Sequence, residues 1–329
     1  MARILKTKSI GYGDIVSIAQ PAAIHSRKQI PIEGWRIMVS SMTSIIGSTF
    51  IKACSALDED IQPSIHLPRD IFFEENIQLL SELNYPKHKV WVGIGLNDRE
   101  RIDMAKALGF TQILIDVANG YLPQVRAKAL HLFNKDFTVC AGSVHTAQGT
   151  LNLISSGCSM IRTGIGPGSV CLTKDVTSYT RGPISEIMEM AEIADANGRV
   201  ILADGGIASS GSAVKAFLAG ASMIMSGRLF VEAEECRMHQ PKEERMVGKY
   251  ELPAHNYFGM ASQWGKLSMN GGVLTQENIE GKVDFIHPTE KLKYILESIW
   301  EGIRSGVSYS GYKTLTDAIG NGVFELIHK

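Results

Sequence analysis

From Gly166 to Thr173 the chain reads Gly-Pro-Gly-Ser-Val-Cys-Leu-Thr, setting the thiol of Cys171 two residues from the hydroxyl of Thr173 on a sparsely covered backbone. Glycine lets main-chain amides approach an anion without Cβ interference, proline stiffens the turn, and a cysteine thiolate is a strong nucleophile. Such a loop offers nucleophilic attack on a phosphorylated substrate. Free cysteine is more often a buried structural residue. Cys140 and Cys158, in or beside apolar runs, fit that description, whereas Cys171 lies among glycines. Two further motifs could hold the anion: Ala203-Asp204-Gly205-Gly206-Ile207 and Met225-Ser226-Gly227-Arg228. Amides of Gly205, Gly206 and Gly227 would meet phosphate oxygens, Arg228 would supply charge, and Asp204 would accept from ribose hydroxyls. Glycines that merely make tight turns would look the same in either motif alone. Asp116-Val117-Ala118-Asn119-Gly120-Tyr121 offers a carboxylate for a second ribose or an amide for a carboxamide, with helix capping as the other explanation. His66 and His145 fall at strand ends, and no two of the nine histidines stand at metal-ligand spacing.

The elements that must position these residues alternate. Short apolar runs at 36–40, 61–66, 90–93, 113–117, 137–141, 160–163, 200–203 and 223–225 read as eight strands. Segments 74–83, 99–108, 122–133, 184–196 and 212–218 carry apolar residues at three- and four-residue spacing, as amphipathic helices do. Eight strand–helix units predict a TIM (β/α)8 barrel, whose chemistry sits on loops after the C-terminal ends of strands. The Cys171 loop follows the sixth strand, and the two glycine motifs follow the seventh and eighth, where such barrels hold phosphate. Residues 6–33 precede the first strand. Residues 233–289 follow the eighth without a clean period, as a lid or site-completing segment, and a helix near 289–302 closes the barrel. No linker divides residues 1–329, so a single catalytic domain is expected.

Composition narrows the class. The 329 residues are 44% hydrophobic with net charge -1, enough apolar content for a large core and without the basic run a nucleic-acid polymer would require. No apolar run approaches the length of a membrane span and no signal-peptide core opens the chain, so a soluble cytoplasmic protein is expected. Five widely spaced cysteines without a Cys-x-x-Cys pair argue for reduced thiols.

The Cys171 loop, the Ala-Asp-Gly-Gly turn and the closing Gly302-Ile303-Arg304-Ser305-Gly306-Val307-Ser308-Tyr309-Ser310-Gly311 together resemble the IMP dehydrogenase and GMP reductase family, over roughly residues 36–312. The resemblance implies a homotetrameric TIM barrel in which Cys171 attacks C2 of a purine nucleotide monophosphate and hydride is exchanged with a nicotinamide cofactor. It also implies a potassium ion on the carbonyls of Gly166, Gly168 and Cys171. Dehydrogenases of the family carry a CBS insert and a flap Arg-Tyr pair. Here no inter-strand gap holds such an insert, and no arginine lies between Arg245 and Arg304. The tail is instead similar to GMP reductase. Tyr257-Phe258-Gly259-Met260-Ala261-Ser262 matches its purine-contacting turn, and Glu280 in Glu280-Gly281-Lys282 matches its catalytic glutamate. The implied reaction is NADPH-dependent reductive deamination of GMP to IMP and ammonia through a Cys171 thioimidate, with Thr173 and Glu280 delivering the proton. Ser169 and Gly281 join the implied substrate contacts; Asp116, Ala118, Asn119 and Gly120 are the implied cofactor contacts.

Four segments depart from the family pattern. Ser41-Met42-Thr43 stands for Asn-Met-Asp, His66-Leu67-Pro68 for His-Lys-His, Ala141-Gly142-Ser143 for Ala-Gly-Asn, and Glu277-Asn278-Ile279 for Arg-Ala-Ser. They keep three alternatives open: a reductase of a modified or deoxy purine nucleotide, a compact IMP dehydrogenase, and a non-catalytic nucleotide-binding relative.

Overall fold

The computed structural model describes residues 8–22, 24–273 and 280–327. Eight parallel strands close into a barrel: β1 (Ile37–Val39), β2 (Ser64–Leu67), β3 (Val90–Ile94), β4 (Gln112–Asp116), β5 (Thr138–Gly142), β6 (Met160–Arg162), β7 (Val200–Asp204) and β8 (Met223–Ser226), with β8 pairing back onto β1. This is the α/β TIM barrel that the periodicity predicts. Alternation along each strand sends one set of side chains inward, where Met38, Trp91, Leu114, Cys140, Met160, Leu202, Met223 and Met225 fill the lower interior. The other set faces the helices. β2 starts at Ser64 rather than residue 61, because Ile61 and Gln62 belong to the turn whose amides return to the Asp58 carbonyl.

The helices expected from periodicity form within a few residues of their expected bounds, and two that periodicity did not mark, Ser48–Ser55 and Ala147–Ile154, complete the outer ring. The barrel-closing helix, Leu292–Tyr309, is longer than expected and packs on Ser210–Leu218. Gly302 and Gly306 allow that approach: a Cβ there would lie 2.3 Å from Ser210 Oγ and 2.5 Å from Val214 Cγ2. At the N-terminus, the Ile10 carbonyl accepts from the Ile184 and Ser185 amides, and Ile15–Ser17 pairs antiparallel with Phe324–Leu326. That route lays Tyr12 against the Gly205-Gly206 turn. No described helix is long and apolar enough to cross a membrane.

The segment after β8 folds back over the C-terminal end of the barrel. Within it Asn256–Phe258 pairs antiparallel with Val283–Phe285 and carries Tyr257, and Gly281, just before the second of these strands, bridges to Cys171.

Candidate active site

The Cys171 loop leaves β6 through Gly164 and Gly166, both in the left-handed region at φ 91° and 85°, which turns it across the barrel mouth. It is held there by a short antiparallel ladder. Leu172 N donates to Glu280 O at 2.7 Å, Lys282 N to Val170 O at 3.0 Å, and Glu280 N to Ala261 O at 3.2 Å. The ladder brings together three side chains that the sequence separates. The Cys171 thiol donates to Thr173 Oγ1 at 3.2 Å, and the Thr173 hydroxyl donates to Glu280 Oε2 at 2.8 Å. A thiol, a hydroxyl and a carboxylate so aligned form a path along which a proton can leave sulfur and be returned to a nearby leaving group.

Cys171 opens onto a cavity of about 430 Å³. Its walls include Ser169, Asp204, Gly205, Gly206, Gly227, Arg228, Tyr257, Gly259, Met260, Ala261, Glu280 and Gly281, so nearly all the expected substrate contacts converge. Ser262 does not line it. Its side chain caps the helix Gln263–Met269 by accepting from Gly265 N, which fixes the turn that carries Met260 and Ala261. Gly205 and Gly206 have φ of 85° and 75°, and a Cβ on Gly205 would meet Pro167 Cγ at 2.8 Å. The backbone there stays bare enough for an anion to approach. At Gly227 a Cβ would stand 2.5 Å from Met42 Sδ and 2.7 Å from the Tyr257 hydroxyl. Burial pushes the Tyr257 hydroxyl up to about 12, with the neighbouring Ser169 opposing the rise, so the hydroxyl stays neutral at the same end of the cavity.

Asp116, Ala118, Asn119 and Gly120 do not line this cavity; they stand elsewhere on the barrel mouth, at and after the end of β4. Asn119 Oδ1 accepts from Tyr121 N at 3.0 Å, while the Asn119 amide nitrogen has no partner among the described residues. Asp116 is committed to cations: Arg162 Nη1 lies 3.0 Å from Oδ1 and Arg69 Nε 3.8 Å from Oδ2. Burial alone would raise its pKa, but Arg162, His66 and Arg69 hold the carboxyl at about 2. Beneath it His66 is fully buried, and burial lowers its pKa to about 4, so the ring is neutral. Arg162 and Arg69 are the site residues that sequence reading missed. A charged residue at an inward strand position, two after Met160, was the available signal for Arg162.

The departures have structural counterparts. Thr43, where the family has aspartate, donates to Asp70 Oδ2 at 2.6 Å, so a carboxylate returns to that spot from the loop after β2. Leu67 faces the apolar shell, and Arg69, two residues later, brings a cation to the mouth. Glu277 and Ile279 lie outside the described residues. The carbonyls expected to hold potassium suit a cation: those of Gly166 and Cys171 accept no hydrogen bond among the described residues, and that of Gly168 accepts from Cys171 N alone.

A β/α barrel that presents a thiol–hydroxyl–carboxylate relay to a glycine-lined cavity at the C-terminal ends of its strands has the arrangement of a TIM-barrel active site. The profile described as "IMP dehydrogenase / GMP reductase domain" matches residues 83–329, and the chain belongs to that family. It is similar to the GMP reductases of Shigella boydii serotype 18, Shigella flexneri and Escherichia coli O157:H7, each 28% identical over 339 aligned residues that cover 96% of this chain and 94% of the relative.

Proposed function

We propose that the protein is an NADPH-dependent reductase of a purine nucleotide monophosphate, with GMP as substrate and IMP and ammonia as products. The observation that carries this reading is the relay from Cys171 through Thr173 to Glu280 at the cavity wall. Cys171 loses its proton through Thr173 to Glu280 and attacks C2, forming the C–S bond. The proton returns along the same path to the exocyclic amino group, the C–N bond breaks, and ammonia leaves behind a thioimidate on Cys171. A bound nicotinamide coenzyme supplies the hydride that C2 receives as the C–S bond breaks, regenerating the thiolate. One carbon–nitrogen bond is thereby exchanged for one carbon–hydrogen bond, with one hydride and one proton consumed.

Around these atoms, Ser169, Tyr257, Gly205, Gly206 and Gly227 would hold the phosphate, with Arg228 adding charge, and Met260 and Ala261 would face the base. The unpartnered amide nitrogen of Asn119 and the guanidinium of Arg69 fit the carboxamide end of a nicotinamide, beside Asp116. The carbonyls of Gly166, Gly168 and Cys171 would hold potassium, which would brace the loop. Glu280 favours reduction over a dehydrogenase reading, since the relay already supplies the acid a leaving amine requires.

Purified protein is tested with GMP and NADPH, following nicotinamide absorbance and ammonia together. Both signals should move one-for-one and vanish in Cys171→Ala, which should also lose covalent capture of the purine. Appreciable turnover by Cys171→Ala, or NAD reduction with IMP in place of NADPH oxidation with GMP, would reject the assignment.

A further inference from the structure

Asp204 stands in the cavity wall, but what holds it lies behind the wall. Arg162 Nη1 sits between two carboxylates, 3.0 Å from Asp116 Oδ1 and 3.5 Å from Asp204 Oδ2, and Arg162 Nη2 donates to Val117 O at 3.0 Å. The arginine side chain is 8% exposed and the two carboxylates 18% and 23%, so solvent screens the bridge only in part. Its place is built into the strands: a Cβ on Gly142 would lie 2.7 Å from Arg162 Cβ and 2.4 Å from Arg162 O. Ser41 Oγ donates to Asp116 Oδ2 at 3.4 Å, and Arg69 covers Asp116 from the side. A fork-shaped guanidinium can make all three contacts at once, whereas an ammonium is a single point charge.

We propose that Arg162 is a positioning residue for substrate recognition: bridging Asp116 and Asp204, it aims the Asp204 carboxylate into the cavity and keeps it ionised, so that it selects a sugar carrying the vicinal diol of a ribonucleotide. The proposal rests on the nucleotide reading above and adds what sets its sugar selectivity. An ionised carboxylate is acceptor-only and can take both hydroxyls of a diol, while a protonated one offers a donor in place of one acceptor. The charged groups facing Asp204 are Arg162 from β6 and Asp116 from β4; the neutral titratable groups are the hydroxyls of Tyr12 and Tyr257, from the N-terminal segment and the tail, and the thiol of Cys140. Burial raises Asp204 to about 6; Arg162 opposes that rise, Asp116 adds to it, and the Gly205 amide opposes it. Removing each neighbour therefore has a definite and opposite sign.

The test titrates Asp204 in the unliganded protein by pH-difference infrared spectroscopy, with D204N subtracted to isolate its carboxyl band. R162Q should move the transition up and D116N should move it down, by about 1–3 pH units for a charge at this distance. R162K, which keeps the charge and loses the fork, should fall between R162Q and the parent protein. Equilibrium titration with GMP and with its 2′-deoxy counterpart then reads recognition. In R162Q the preference for GMP should collapse about tenfold at pH 7 and recover by pH 9, a pH dependence that a merely structural loss would not show. A transition that stays put in both R162Q and D116N, or a loss in R162Q equal at every pH, overturns the proposal. Failure of the parent protein to bind GMP at any pH would reject the nucleotide reading instead, and the infrared transitions would still decide the role of Arg162.

Discussion

Replacing Thr173 by valine keeps the outline of the side chain and removes the hydroxyl that stands 3.2 Å from Cys171 Sγ and 2.8 Å from Glu280 Oε2. A hydrogen bond to a carboxylate contributes about 1.5–3 kcal/mol, and the thiol bond is worth less. Together about 3 kcal/mol of proton-transfer support is lost, which at 1.36 kcal/mol per decade lowers turnover about 10²-fold. The relay touches only reacting atoms, so the loss belongs in kcat and not in KM for the nucleotide. Initial rates of NADPH oxidation across GMP concentrations separate the two, and Thr173→Ser, which restores the hydroxyl, should recover most of the rate. Alkylation of Cys171 by iodoacetamide gives a readout without substrate: it should slow in Thr173→Val and in Glu280→Gln, because both interrupt the path by which sulfur loses its proton. A Thr173→Val enzyme with kcat within about threefold of the parent, or with its whole defect in KM, would refute the relay.

Gly227→Ala should weaken nucleotide binding about tenfold and lower the melting temperature by a few degrees, since the new Cβ stands 2.5 Å from Met42 Sδ and 2.7 Å from the Tyr257 hydroxyl and displaces both; calorimetric titration and melting temperature check this. Glu186 is fully buried, accepts from Gly164 N at 3.2 Å, and burial raises it to about 8 from an ordinary 4.5. The folded state therefore holds a proton that the unfolded state releases, so stability contributed by this group is present below pH 4.5 and is lost as pH rises through about 8. Glu186→Gln, neutral at every pH, should melt with the parent near pH 5 and about 5 °C above it at pH 8 by scanning calorimetry.

The barrel was legible because its strands are short apolar runs at regular intervals, and that pattern survives without knowing which strands pair. Helix Ser48–Ser55 was not legible. It begins at Gly47 without a side-chain cap and carries β-branched and small residues, so burial of Phe50, Ile51 and Cys54 decides its conformation. Ala147–Ile154 did carry a signal in the capping hydroxyl of Thr146, which Gly149 in its first turn obscured. At the site, motifs confined to one loop could be read directly: Cys171, Thr173 and the Asp204 turn all announce themselves locally. Arg69 and the carboxylate of Asp70 could not, and Arg162 only by its charge at an inward strand position, because their partners come from other strands and meet only when those strands pair. Ser262 shows the reverse case, a residue that stands beside the site in sequence yet acts as a helix cap.

The ladder between the Cys171 loop and the tail also sets when the proton path from Cys171 can assemble. Thr173 and Glu280 are 107 residues apart, so their hydrogen bond forms only after the intervening chain has been ordered. During synthesis the thiol emerges with β6, before β7, β8 and the whole of the tail exist. A nascent or partly folded chain can have an assembled sheet and still lack the acceptor for the thiol's proton. The complete path from Cys171 to Glu280 is thus a late product of folding, reached only when the last quarter of the chain has docked.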